Sequence, residues 1–260
     1  MAQETNVSSC TIESLVNKHK GQTAWVVANG PSTSNILKQL LKLRMSGAPG
    51  NVMFVTNEID ELLGNLGLSL DMFKPEYWVV ANSHFTVERQ HSRFNKLQPW
   101  NGKLLYANSV DLTPNPDKLL TVDYLPYDQR HFNGMVCQDT RKPCCAFNKR
   151  EIGEGRQTVQ EALQSFLGAP ERYGTGSTVA LHMLAFAIIT GCTTINVSGV
   201  DLNYSAGYFD GKSYNPDSFT PWMSEVLEDF SIISRSISDK PIRVVVHNPD
   251  SPIARMFNKP

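Results

Sequence analysis

The sequence predicts an α/β protein whose mostly parallel sheet carries helices on both faces, with a loop-rich lid or small subdomain added. Three observations lead there. Short β-rich apolar runs alternate with longer amphipathic stretches, the pattern of strands joined by helices. Several of these runs are apolar on consecutive residues, as in strands covered on both faces of a parallel sheet. The 260 residues, 41% of them hydrophobic, suffice for one large α/β domain.

The expected strands are Ala24 to Ala28, Val52 to Thr56, Tyr77 to Ala81, Lys103 to Tyr106, Thr194 to Ser198 and Ile242 to His247. Helical stretches fit between them. Ser34 to Met45 carries an apolar stripe at Ile36, Leu37, Leu40, Leu41 and Leu43. Arg156 to Leu167 and Ser177 to Thr190 read the same way, with Gly191 as the C-terminal cap of the latter. A further helix covers Trp222 to Ile237, with Pro221 near its start, where proline is tolerated. Trp25, Trp78 and Trp100 belong to the core, as does His182 inside its apolar helix. The stretch from Thr113 to Gly155 differs: it holds four prolines and three of the five cysteines, and reads as long loops or a small subdomain.

Composition narrows the function classes. Lys+Arg 24 against Asp+Glu 25 leaves a net charge of −1, with no global drive toward nucleic acid or an anionic membrane. Five cysteines are a sparse, odd set, unlike the framework of a small secreted scaffold. The opening residues, Met1 to Cys10, hold neither a basic patch nor an apolar stretch, so no secretory signal is expected. The longest apolar run, Val179 to Ile189, is too short to cross a bilayer. The expectation is a cytoplasmic protein with no transmembrane segment and no nucleic-acid partner.

Three expected strands end on asparagine: Asn29, Asn57 and Asn82. In an open parallel sheet those ends converge on the crevice where ligands bind. An asparagine amide both donates and accepts, and so can read a base, a ribose or a phosphate without adding charge. Asn29 continues as Gly30-Pro31-Ser32 into a helix, where a glycine permits close approach and a helix start favours an anion. The dinucleotide fingerprint GxGxxG is absent, as is the GxxxxGK[ST] phosphate loop. A second helix start, Thr175-Gly176-Ser177, offers hydroxyls and free N–H groups to a phosphate or carboxylate, or an ordinary cap by Thr175 or Ser177. Asp201, just past the strand ending at Ser198-Gly199, suits ribose hydroxyls or a metal. His131, Cys137, Cys144 and Cys145 form an H-x5-C-x6-C-C run that lacks paired zinc spacing, so incidental cysteines are the preferred reading. Arg141, Lys142, Lys149 and Arg150 make that stretch basic, as a solvated face or a phosphate-facing lid.

Taken in order, these pieces resemble the sialyltransferase-like superfamily, which contains the glycosyltransferase family 42 sialyltransferases, the motility accessory factors and the archaeal hydroxymethylpterin pyrophosphokinases. The matching residues are Asn29 to Ser32, Asn57, Asn82, Thr175 to Ser177, Ser198 to Asp201 and the final strand end His247-Asn248-Pro249. The resemblance implies a Rossmann-like fold spanning residues 1 to 260 as a single nucleotide-binding domain, with an insertion at about 113–155 and a lid at about 203–222. It implies a nucleotide-sugar donor, CMP-sialic acid in the sialyltransferases, and a glycan or other hydroxyl compound as acceptor. By the same resemblance, Asn29, Asn57 and Asn82 contact the donor, with Gly30 and Ser32 beside them. Ser177, with Thr175 and Gly176, faces its phosphate or carboxylate, and Gly199 to Asp201 hold the cytidine and ribose side. Tyr204 or Tyr208 hydrogen-bonds the departing phosphate. No cofactor or metal is expected, since no Asp-x-Asp motif occurs, and related enzymes assemble as homo-oligomers.

One departure stands out. The sialyltransferases carry a lid histidine as general base, and no histidine lies between Asp201 and Arg243. Asp210, in the loop flanked by Gly207 and Gly211, is the preferred substitute, ahead of Asp217 and Glu225. The alternatives are a pterin-alcohol pyrophosphokinase using ATP and Mg²⁺, with Asp201 helping to hold the metal, and a non-catalytic nucleotide-binding protein.

Overall fold

Strands β1 (Thr23–Val27), β2 (Asn51–Thr56), β3 (Tyr77–Val80), β4 (Lys103–Tyr106), β5 (Leu119–Leu120), β6 (Thr194–Ser198) and β7 (Arg243–Val246) pair in the order β5-β4-β3-β2-β1-β6-β7. Every pairing is parallel, from Thr23 beside Asn51 on one flank of β1 to Thr23 beside Thr194 on the other. This is a computed structural model, and it describes residues 15–56, 59–80, 103–106, 119–120, 166–167, 178–203 and 220–258. The chain steps outward from β1 to β5 and then returns to the opposite flank of β1. The reversal between β1 and β6 is the topological switch point of a doubly wound α/β sheet.

Helices cover both faces, as the consecutive apolar strands require. Alternate residues of each strand point to opposite sides. Trp25, Val27, Met53, Val55 and Trp78 pack with helices α1 (Thr33–Met45), α2 (Ile59–Asn65) and α3 (Leu70–Phe73) on one face. Ala24, Val26, Val52, Phe54, Tyr77 and Val79 pack on the other face with α4 (Val179–Ile189) and α5 (Thr220–Ser236), where α6 (Ala254–Phe257) also contributes. Each fully buried Val, Leu, Ile or Phe side chain contributes about 1.5–3 kcal/mol, so these two layers hold the sheet in place. From Ala180 to Ile189 every residue of α4 is buried, His182 included, which explains its nearly uniform apolar sequence.

Several local expectations change in detail. Gly191 does end α4: with φ at +85°, its N–H donates to Ile188 O at 2.9 Å while the Cys192 N–H donates to Ala187 O at 3.1 Å. The opposite cap is Thr178 rather than Thr175 or Ser177. Its backbone is extended, and its Oγ1 accepts from the Ala180 N–H at 3.4 Å. The proline-rich stretch is not all loop, because Leu119 and Leu120 form the edge strand β5 beside β4. The helix expected at Arg156 to Leu167 lies outside the described residues except for Phe166 and Leu167, which are helical. Trp25 and Trp78 are core residues, 7% and 0% exposed; Trp100 lies outside the described residues. Among the described residues no helix is long and apolar enough to cross a membrane.

Candidate functional site

In a parallel sheet the connecting helices return against the strands, so the carboxyl ends of β2, β1 and β6 and the start of α4 share one edge. Pairing between β1 and β6 continues beyond the strands: the Ala28 N–H donates to Ser198 O at 2.9 Å and the Gly30 N–H to Gly199 O at 2.8 Å. This seam leaves no room for side chains. A Cβ on Gly30 would press on Gly199 O and come within 2.5 Å of Asp201 Oδ2, and one on Gly199 would press on Thr33 Oγ1 and Ala28 O. Gly199 also holds φ at +72°, a left-handed conformation that favours glycine. Gly30 thus serves a close approach, but to the neighbouring strand end.

Ser32 and Asp201 lock the seam. The Asp201 carboxylate accepts from the Ser32 N–H through Oδ2 at 2.8 Å. Its Oδ1 accepts from the Ser32 hydroxyl and from Asn248 Nδ2, the latter at 2.7 Å. Ser32 Oγ in turn accepts from the Gly199 N–H at 3.2 Å. These bonds alter the expectation of an anion site at the start of α1. The Thr33, Ser34 and Asn35 N–H groups donate to Gly30 O, Pro31 O and Ser32 O, and the Ser32 N–H donates to Asp201. All four N–H groups have partners, and the nearby charge is already the Asp201 carboxylate, favourably placed against the helix dipole.

Three polar atoms at the same edge are left over. Asn29 Oδ1, Thr56 Oγ1 and Ser198 Oγ are buried and, among the described residues, accept or donate no hydrogen bond. Asn29 is 8% exposed, Thr56 4% and Ser198 2%. They do not share one face: Ser198, beside Val27, is on the α1 side of the sheet, Thr56, beside Val79, is on the α4 side, and Asn29 lies two residues beyond the end of β1. An unsatisfied buried polar group costs about 1–3 kcal/mol, and Asn29, in the turn that leads from β1 into the seam, makes its Oδ1 the candidate for a ligand contact at the switch point.

Directly after β7, His247 stacks on Trp25 with ring centroids 5.2 Å apart, and its Nε2 donates to Asn196 Oδ1 at 3.0 Å. Burial lowers the pKa of this imidazole. Asn248, the next residue, has both ends of its amide engaged, since its Oδ1 accepts from the Asp250 N–H at 3.1 Å.

Of the residues expected at the site, the structure brings together Asn29, Gly30, Ser32, Gly199 and Asp201. Asn57, Asn82, Thr175, Gly176, Ser177, Tyr204, Tyr208 and Asp210 lie outside the described residues, as do His131, Cys137, Cys144 and Cys145. Asn57 follows directly on Thr56, the last residue of β2. Sequence reasoning attached no role to Thr56 or Ser198, although each closes a strand that it had located. Among the described residues no group of three or more His, Cys, Asp or Glu is arranged to hold a metal ion.

The strand order defines a doubly wound α/β protein with a candidate ligand site at its switch point. No known family model matches the chain, and no curated protein sequence matches it. Among solved structures it is similar to the sialyltransferase CstII from Campylobacter jejuni in complex with a substrate analogue, CMP-3FNeuAc. That likeness covers 91% of this chain and 85% of the other, at 16% identity and a TM-score of 0.45. The same enzyme with cytidine-5′-monophosphate is similar over 92% and 84% of the two chains, at 16% identity and a TM-score of 0.42. Neither likeness assigns a role to a residue of this chain.

Proposed function

We propose that this protein is a glycosyltransferase that binds a nucleotide-activated sugar of the CMP-sialic acid kind in the crevice between β1 and β6. The observation that carries the reading is the buried Asn29 Oδ1, which has no hydrogen-bond partner among the described residues and lies in the turn after β1, at the switch point. A nucleoside hydroxyl or amine supplies the partner it lacks. The order of strand-end motifs along the sequence supports the choice of donor.

In this reading Asn29, Asn57 and Asn82 contact the donor. Thr175, Gly176 and Ser177 receive its phosphate or carboxylate at the start of α4, and the Gly199 to Asp201 turn walls the cytidine and ribose side. Gly30 and Ser32 build the opposite wall. The acceptor hydroxyl attacks the anomeric carbon as the bond to the CMP oxygen breaks. Asp210 takes the hydroxyl proton, and Tyr204 or Tyr208 with Ser177 stabilises the charge on the departing phosphate. Residues 203–222 act as the lid and 113–155 as the insertion of a single domain, which works as a cytoplasmic homo-oligomer.

Thermal-shift measurements with CMP, CMP-sialic acid, UDP-sugars and ATP, each with and without Mg²⁺, test the reading. Stabilisation by CMP and CMP-sialic acid without metal is the expected result. A shift with ATP that requires Mg²⁺, and none with CMP, would overturn it in favour of phosphoryl transfer.

A further inference from the structure

We infer that Asp201 and Asn248 form a clasp that positions the rim of the crevice, and that Asp201 is a positioning residue rather than a ligand for ribose or metal. The inference rests on the proposed donor site. It starts from the carboxylate's own bonds: Oδ2 accepts from the Ser32 N–H, and Oδ1 accepts from both the Ser32 hydroxyl and Asn248 Nδ2. Three chain segments meet there. Ser32 belongs to the turn after β1, Asp201 to the turn after β6, and Asn248 lies just beyond β7. Asn29 belongs to the same turn as Ser32, so the position of that turn sets the position of its Oδ1, which has no partner among the described residues.

Asn248 is oriented from behind. Its Oδ1 accepts from the Asp250 N–H, so its Nδ2 is the end that faces Asp201. One residue further, the Ser251 hydroxyl donates to Val200 O at 2.6 Å, fastening the same two turns a second time. Leu202, directly after Asp201, holds φ at +51° and packs against the core of the α4 face. The carboxylate is therefore fixed on both sides along its own chain.

The bonding pattern dictates what each substitution does. In Asp201→Asn one amide orientation sets its NH₂ against Asn248 Nδ2, and the other sets it against the Ser32 N–H, so a donor meets a donor either way. In Asn248→Asp one carboxylate faces another across the former hydrogen bond. The double substitution removes both conflicts. The amide introduced at position 201 donates to the carboxylate introduced at position 248 and to Ser32 Oγ, while its oxygen still accepts from the Ser32 N–H. Ser32 Oγ can accept from both that amide and the Gly199 N–H.

The test uses the full chain in four forms: wild type, Asp201→Asn, Asn248→Asp and the double variant. Tm is measured without ligand, and CMP affinity by calorimetry on folded protein well below Tm. Each single variant is expected to lower Tm and to weaken CMP binding about 10-fold or more, with the double variant recovering most of both. Two results would overturn the clasp: CMP affinity unchanged in Asn248→Asp, or a double variant no better than Asp201→Asn alone, as direct contact of Asp201 with ligand requires. If wild-type protein binds no CMP, the donor site is wrong, and the Tm pattern of the four forms still decides whether the clasp exists.

Discussion

A methyl group added to Gly199 probes the seam between β1 and β6 most sharply. Gly199 holds φ at +72°, and its added Cβ would press on Thr33 Oγ1 and Ala28 O and stand 2.7 Å from Ala28 C. The left-handed backbone costs an L-residue about 1–2 kcal/mol, and forcing atoms into a filled interior adds about 1–3 kcal/mol. Gly47 separates the two, because it holds φ at +63° with nothing within 4 Å of its added Cβ. The backbone cost and the reduced freedom of the unfolded chain are shared by the two variants, so the difference between them isolates the contacts. Gly199→Ala is expected to be about 1–3 kcal/mol less stable than Gly47→Ala, a separation of roughly 2–12 °C in Tm for a domain of this size. Urea unfolding of the two variants side by side, followed by circular dichroism, reads the difference. Equal stabilities would refute the claim that the seam is closed by backbone contact at Gly199.

Asn29→Ala is expected to weaken nucleotide binding by about 1–3 kcal/mol, because it leaves polar ligand groups unpaired in a desolvated cleft; calorimetry showing wild-type affinity in a folded variant would remove Asn29 from the site. Asp210→Asn, which keeps the shape of the side chain, should reduce turnover about 10²–10⁴-fold with donor affinity nearly unchanged, and wild-type turnover would move the base to Asp217 or Glu225. Burial lowers the His247 pKa from 6.5, so the unfolded chain takes up a proton that the folded protein resists. Stability from this group is then full above about pH 6.5 and falls as pH drops toward the folded pKa. His247→Gln keeps a donor for Asn196 without titrating, so its Tm should decline less than that of wild type between about pH 7 and pH 5. Parallel declines would show that His247 is not the group responsible.

Much of the frame is legible in the sequence because its signals are local. Runs such as Trp25 to Val27 and Val52 to Val55 are apolar on consecutive residues, and the two packed faces of the sheet explain why. The caps and edges are less legible. Leu119 and Leu120 are too few to show a period, so β5 emerges only from its pairing with β4. Thr178 competes with Thr175 and Ser177 as a cap, and the helix start decides among them. At the site, residue type marked Asn29 and Asp201, while their different circumstances were invisible. The bonds of Asp201 come from partners 169 and 47 positions away, and no spacing rule links such residues. Asn29 Oδ1, Thr56 Oγ1 and Ser198 Oγ are notable for bonds they lack among the described residues, a property that exists only once the chain is folded.

The central claim is that Asn29 Oδ1 finds its partner in a nucleotide at the switch point. A crystal structure of the protein with CMP, grown without divalent metal, tests it most directly. The account predicts CMP lying across the carboxyl ends of β1 and β6, with a ligand hydroxyl or amine donating to Asn29 Oδ1. CMP bound away from these strand ends, or bound across them with Asn29 Oδ1 still unpartnered, would contradict it.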